Sequence, residues 1–273
     1  MHPDLTGANT LRPKAQTDSR LSGIGAPTPW YRVGAIPDAR EGIRVVESGM
    51  DTSASDPSGE SARVVRVFDH LADGYDRQIT WSERLLLGDA RRWAVAAARG
   101  EVVEIGTGTG LNLPAYGPDV TRVTGIDISA AMLDRARARL NSAEIDQDRF
   151  LLRHGDAQAL ALPDEVADTV VSTYALCSIP DPAAAVAEAW RVLRPGGAFV
   201  LAEHGLPDNR FGAALLRAAE PLAVRLSADH LSRDPLPLLR QAGFELEQVA
   251  RSGRGNMVVR ALARKPLSSA IPN

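Results

Sequence analysis

The 273 residues carry a formal net charge of −3, with 44% apolar and 24% charged side chains, a balance that suits a chain with a sizeable core and lacks the basic surplus of a nucleic-acid partner. A single cysteine, Cys177, excludes an intramolecular disulfide, and no Cys/His cluster has the short spacing of a zinc site, so no metal is expected. No apolar run approaches the roughly 18 residues of a membrane span, and the start MHPDLTGANT lacks the regions of a signal peptide; the expected location is cytoplasmic.

Gly, Pro, Ser and Thr fill 24 of the first 60 positions. Residues 1–60 are therefore expected to form a flexible or surface-draped extension. PWYRVGAI (29–36) is its one apolar cluster, and Met50 is a candidate alternative start. From Ser61 the spacing turns helical, with Val64, Val65, Phe68 and Leu71 on one face. Ser82 is the expected N-cap of a helix ERLLLGDARRWAVAAAR that stops at Gly100.

Strands and helices then alternate. EVVEI (101–105), RVTGID (122–127), RFLLRH (149–154), ADTVVST (167–173) and AFVLAE (198–203) read as strands, rich in apolar residues as doubly covered strands are. Between them, Ser129 caps AAMLDRARARLNSA, whose Met132, Leu133, Ala136 and Leu140 form an apolar stripe; Arg135, Arg137 and Arg139 read as its solvated face. AAAVAEAWRVL follows Pro182 and ends at RPGG. FELEQVA (244–250) and NMVVRALAR (256–264) are spaced for an antiparallel hairpin. The fold class is therefore α/β: a Rossmann-like, doubly wound, mainly parallel seven-stranded sheet with an antiparallel C-terminal hairpin strand. The expected domain spans residues 61–265, with an insert at 205–235 and a tail at 266–273.

In such sheets a ligand sits beyond the carboxyl ends of the strands where strand order reverses. VVEIGTGTGLN (102–112) occupies that place after the first strand. The dinucleotide fingerprint G-x-G-x-x-G would need glycine at 111, where Leu111 stands. Glu104 beside the loop would repel a pyrophosphate and suit a cation such as the sulfonium of S-adenosylmethionine. Asp127 ends the second strand, where a carboxylate can accept from both ribose hydroxyls, and Asp156 follows the third, where an adenine amino group can be met.

VVEIGTGTGLN, VTGIDISAAML, GDAQALALPDEVADTVVSTYALCSIPDPAAAVAEAWRVLRPGGAFVLAEHG and LPLLRQAGF together resemble the successive motifs of class I S-adenosylmethionine-dependent methyltransferases. The likeness covers roughly residues 64–265. ALCSIPDP…RVLRPGG…LAEHG is similar to phospholipid N-methyltransferase-like and thiol methyltransferase-like proteins, FDHLADGYD to the ubiquinone/menaquinone methyltransferases. The resemblance implies S-adenosylmethionine as cofactor. It puts Glu104, Gly106, Thr107, Gly108 and Gly110 at the methionine part, Asp127 and Ile128 at ribose and adenine, and Asp156 and Ala157 at the adenine edge. Tyr75 and Tyr174 would lie near the reactive end. Thr107 departs from the family, which often has Cys or Ala there, and the N-terminal extension has no counterpart.

Methyl transfer leaves the protein chiefly the work of holding a nucleophile in line with the carbon–sulfur bond. Base candidates are His70, His204, His230, Glu203 and Tyr75; His204, after the fifth strand, faces the ligand edge of the sheet. Cys177, in an apolar run without an evident activating partner, reads as core. The insert, with Leu215, Leu216, Leu222, Val224 and Leu226, is a candidate wall for a hydrophobic acceptor. The expected partner is a small molecule: a lipid-like compound, thiol, amine or natural-product scaffold, with a peptide amine also open. Rival readings are an NAD(P)-dependent dehydrogenase and a non-catalytic cofactor-binding protein. Nothing in the sequence speaks to oligomeric state.

Overall fold

A computed structural model describes residues 59–143 and 146–267. The expectations for the N-terminal extension up to residue 58, including its apolar cluster and Met50, and for the tail from 268 lie outside the described residues. Seven strands form one sheet: β1 (Gly100–Ile105), β2 (Val120–Asp127), β3 (Phe150–His154), β4 (Ala167–Thr173), β5 (Leu193–His204), β6 (Glu245–Ser252) and β7 (Val258–Arg264). Their order is β3-β2-β1-β4-β5-β7-β6. The pairs from β3 to β5 are parallel, and β7 runs antiparallel to both β5 and β6. This is the Rossmann-like sheet the strand–helix alternation predicts, and its order reverses between β1 and β4.

Alternation along β1 explains the two-layer packing. Val103 and Ile105 join one core with Phe199, Leu201 and the buried stripe of α5 (Pro182–Val192), Ala185, Val186, Ala189 and Val192. Val102 faces the other way, toward Val95 of α3 (Ala90–Ala97) and Ala136 and Leu140 of α4 (Ala130–Ser142). Successive side chains of a strand point to opposite faces, so each strand serves both layers. Ser129 caps α4 as expected, its Oγ accepting from Met132 N at 3.1 Å. Asp181 caps α5, accepting from Ala183 and Ala184 N at 3.0 Å.

Three local expectations need correction. The single helix from Ser82 to Gly100 is instead α2 (Tyr75–Ser82), a π-helical turn at Glu83–Leu87 and α3, broken at Gly88, where φ is +71°. Ser82 ends α2 and donates to Gln78 O at 3.1 Å, so it caps nothing. β5 starts before RPGG: Leu193 pairs with Ala167, but the next pair is Thr169 with Ala198, leaving RPGG as a bulge between two paired segments. The α4 arginines are not simply solvated. Arg135 pairs with Asp73 and Arg139 with Asp76, tying α4 to the segment of α1 (Gly59–Leu71) and α2.

The region 205–235 contains α6 (Arg210–Ser227), and α7 (Leu236–Gln241) follows. Phe211, Leu215, Leu222 and Leu226 are exposed on α6. Among the described residues no helix is long and apolar enough to cross a membrane.

Candidate active site

The loops after β1 and β4 meet above the point where strand order reverses. Gly106 has φ +66°, and a Cβ there would lie 2.4 Å from Cβ of Ala175, so the two loops touch only because position 106 is bare. A cleft of about 620 Å³, its open mouth included, lies against them. Gly106, Gly108, Asp127, Ile128, Asp156, Ala157, Tyr75 and Tyr174 all line it. Its roof comes from α1 through Val64 and Phe68.

Asp127 organises this cleft. Its Oδ2 accepts from Gly108 N at 2.7 Å and its Oδ1 from Ser129 N at 2.9 Å. Burial raises its pKa above the ordinary aspartate value, against the lowering effect of these two N–H groups. Across the cleft, Asp156 Oδ1 accepts from Gln158 N at 2.9 Å, and Ser61 of α1 donates to its Oδ2 at 3.4 Å.

Glu104, Thr107 and Gly110 stand behind the cleft. Glu104 is 1% exposed; Asn112 donates to its Oε1 at 2.9 Å and Tyr116 to its Oε2 at 2.8 Å. Burial pushes its pKa to about 7, although Tyr116, Asn112 and Arg91 all favour the charge. The carboxylate set against a pyrophosphate by sequence is thus screened from the cleft. Thr107 Oγ1 donates to Glu104 O at 3.3 Å, and Gly110 packs on Leu113 and Ala136. These three shape the loop from beneath.

A second cavity, about 1020 Å³ with its open mouth, abuts the first and shares Phe68, Tyr75, Tyr174 and Ser178 with it. Leu71, Ile79, Leu86, Leu87, Leu216 and Met257 give it an apolar wall. Of the insert's leucines named from sequence, Leu216 lines the cavity, whereas Leu215, Leu222 and Leu226 turn outward. Tyr174 holds a left-handed backbone, φ +54°, and its buried hydroxyl has no hydrogen-bond partner. A bulky residue in that region is an outlier of the kind that clusters at functional sites. Burial raises the phenol pKa of both Tyr75 and Tyr174 above the ordinary value.

His204, at the end of β5, lines this second cavity with Cys177 and Asp229. Its Nε2 lies 2.9 Å from Asp229 Oδ1. Burial works against a charge on His204, but the neighbouring Cys177 sulfur and Asp229 outweigh it and hold its pKa well above the ordinary histidine value. Cys177 is buried, in keeping with the core reading, but it has polar neighbours that sequence did not show: they come from β5 and the loop after α6, 27 and 52 residues away in the chain. Burial pushes the Cys177 thiol up to about 11.

The other base candidates fall elsewhere. Glu203 is buried and receives Ser172 Oγ at 2.8 Å, Ala175 N at 3.1 Å and Leu176 N at 3.2 Å, so it fixes the loop after β4. His70 is exposed on α1, and His230 Nδ1 lies 3.7 Å from Glu220 Oε1; neither lines the two cavities. Val64, Ser178, Ile179, Pro180 and Asp229 also line the two cavities and were not singled out as such from sequence. Helix periodicity marked Val64 as apolar but not what it covers, and Asp229 carries no local signal at all.

The family model described as a methyltransferase domain matches residues 103–201. A phosphatidylethanolamine N-methyltransferase of Cereibacter sphaeroides is 42% identical over 124 residues, 45% of this chain and 60% of that relative; the chain thus spans less than two thirds of its length. A demethylmenaquinone methyltransferase of Roseiflexus castenholzii is 33% identical over 204 residues, 69% of this chain and 82% of the relative. Among solved structures, a SAM-dependent methyltransferase of Thermotoga maritima has a TM-score of 0.56 at 22% identity, covering 73% of this chain and 99% of its own, a likeness of fold. The chain belongs to the class I S-adenosylmethionine-dependent methyltransferases, and it is an enzyme of that kind.

Proposed function

We propose that the first cleft binds S-adenosylmethionine and that the second cavity receives a small acceptor with an apolar body, whose nucleophilic N, S, O or C atom takes the methyl group. The observation carrying this reading is the shared wall: Phe68, Tyr75, Tyr174 and Ser178 line both spaces, so a ligand in one can meet a ligand in the other there. Asp127 accepts from the ribose hydroxyls with the lone pairs left by Gly108 and Ser129. Gly106 and Gly108 admit the methionine portion, while Ile128 and Ala157 flank the adenine and Asp156 meets its amino edge. Glu104, Thr107 and Gly110 act one layer back, as positioning residues. His204 faces the acceptor.

The catalytic contribution is alignment in a dry space. A nucleophile held about 3 to 3.5 Å from the methyl and in line with the carbon–sulfur bond needs little covalent help. Tyr75 and Tyr174 supply two aromatic walls at that junction and stay protonated as their raised pKa dictates, so they orient rather than deprotonate. The apolar wall of the second cavity favours a hydrophobic acceptor such as a lipid-like molecule.

Calorimetric titration of the full chain with S-adenosylmethionine, S-adenosylhomocysteine and NADH tests the assignment. Micromolar binding of the two sulfur ligands and none of NADH is expected, with the signal lost in Asp127→Ala. Binding of NADH alone would overturn it.

A further inference from the structure

Three side chains from three elements converge at the floor of the second cavity. Cys177 lies in the loop after β4, His204 ends β5, and Asp229 follows α6. One potential ligand atom from each, Sγ, a ring nitrogen and a carboxylate oxygen, falls within 4.8 Å of the other two. Ala228, buried with φ +54°, turns the chain at the end of α6 just before Asp229. The loop carrying Cys177 is pinned independently: His230 N donates to Cys177 O at 3.1 Å, and Arg233 Nη1 donates to Leu176 O and Ile179 O at 2.6 Å.

Two atoms of the cluster lack a well-formed hydrogen bond. His204 Nε2 and Asp229 Oδ1 approach to 2.9 Å, yet both are buried and neither has a hydrogen-bond partner with the required alignment. Buried polar atoms are rarely left so, and each exception calls for a reason. A ring nitrogen and a carboxylate oxygen that crowd together without facing one another are arranged as ligands of a common third atom are.

We propose that Cys177, His204 and Asp229 form a binding site for a divalent transition metal of the zinc class, with one coordination position open toward the acceptor. Thiolate, imidazole and carboxylate are zinc ligands, and three protein ligands with a free fourth position define a catalytic rather than a structural zinc site. In a tetrahedral site with nitrogen and oxygen about 2.0 to 2.1 Å from the metal, those two atoms lie about 3.3 Å apart. The observed pair has only to open by about 0.4 Å to reach it. A thiolate and a carboxylate also neutralise a divalent charge, which burial there requires. Short sequence spacing would not reveal such a site, because its ligands are brought together by the sheet.

The acceptor role of this site rests on the reading of the second cavity given above. An acceptor thiol or hydroxyl that coordinates the metal loses its proton to solvent. Its heteroatom then attacks the methyl carbon of S-adenosylmethionine. The carbon–heteroatom bond forms as the carbon–sulfonium bond breaks, and that electron pair stays on the departing S-adenosylhomocysteine.

Titration of chelator-treated, full-length protein with Co2+ tests the site. The expected result is one Co2+ per chain, with a near-ultraviolet sulfur-to-cobalt charge-transfer band that Zn2+ bleaches. Cys177→Ser should abolish the band, and His204→Gln and Asp229→Asn should each weaken Co2+ binding at least tenfold, the lower end of what even outer-shell changes cost. None of the three residues lines the first cleft, so S-adenosylhomocysteine binding measured on the same samples should persist and serves as the control for folding. Intact S-adenosylhomocysteine binding with no band would overturn the metal site and leave the methyltransferase assignment standing. A band in protein that binds no S-adenosylhomocysteine would overturn the acceptor role, because the cavity reading beneath it would have failed.

Discussion

The amide of Gly108 donates to Asp127 Oδ2 at 2.7 Å, so the carboxylate proposed to hold a ribose also holds the glycine loop. The second oxygen is engaged by Ser129 N at 2.9 Å. Asp127→Asn offers a single acceptor oxygen, and one of the two backbone N–H groups must then face an NH2. Leaving a buried donor unpaired costs about 1 to 3 kcal/mol. Urea unfolding should register a loss of that order. Losing the charge-assisted ribose bonds should cut S-adenosylhomocysteine affinity by about 100-fold, a difference of roughly 3 kcal/mol. Unchanged affinity in this variant would remove Asp127 from the cofactor site.

The roof of the first cleft is held by charge. Asp69 of α1 bonds Ser129, Asp73 pairs with Arg135, and Asp76 pairs with Arg139 and accepts from Thr109 Oγ1. Asp73 is 85% exposed and Asp76 48%, so each pair is heavily screened. Together they bind α1 and α2 across the cleft. Arg139→Ala is expected to speed S-adenosylhomocysteine release a few fold, with little change in fold stability. Added salt should speed release from the unsubstituted chain and affect the variant less. Stopped-flow displacement reads both. Equal salt sensitivity in the two would show that the clasp does not govern release.

Sequence carried the sheet, the edge where its order reverses and most of the cleft lining, because these follow from local rules. Strand periodicity, a bare loop and acidic strand ends need no knowledge of distant contacts. It failed where partners are remote. Glu104 sits beside the loop in sequence, but the pleat turns its side chain to the α3 face, where Asn112 and Tyr116 hold it. Cys177 looks solitary until β5 and the end of α6 bring His204 and Asp229 beside it. The helix expected from Ser82 broke because Gly88 takes φ +71° and Asp89 turns to Arg260, a β7 partner that no local window includes.

Glu104 gives the protein a stability that depends on pH. Its folded pKa, about 7, lies above the ordinary 4.5, chiefly because burial penalises the charge. Below pH 4.5 the carboxyl is protonated in both states and its contribution is fully present. Between 4.5 and 7 the unfolded chain ionises while the folded one resists, so stability falls as pH rises, and the loss is complete above 7. Two and a half units correspond to about 3 kcal/mol. Glu104→Gln keeps a side chain of the same shape between Asn112 and Tyr116 and should flatten this slope. Urea midpoints of the two proteins at pH 5 and pH 8 provide the test; parallel losses on going to pH 8 would rule Glu104 out as the source.

Gly106 combines two constraints that mutation can separate. Its φ of +66° disfavours any side chain, and a Cβ would meet Cβ of Ala175 at 2.4 Å. Gly106→Ala should therefore push the loops after β1 and β4 apart and weaken S-adenosylhomocysteine binding sharply. Ala175→Gly removes the facing methyl but leaves the backbone angle as it was. In the double variant the clash is gone and only the conformational cost remains, about 1 to 2 kcal/mol for a left-handed L-residue. Affinity should then recover to within about 30-fold of the unsubstituted chain. No recovery would mean that backbone strain alone fixes glycine at this position; full recovery would mean that contact with Ala175 is the whole constraint, and that the two loops are spaced by that single pair of atoms.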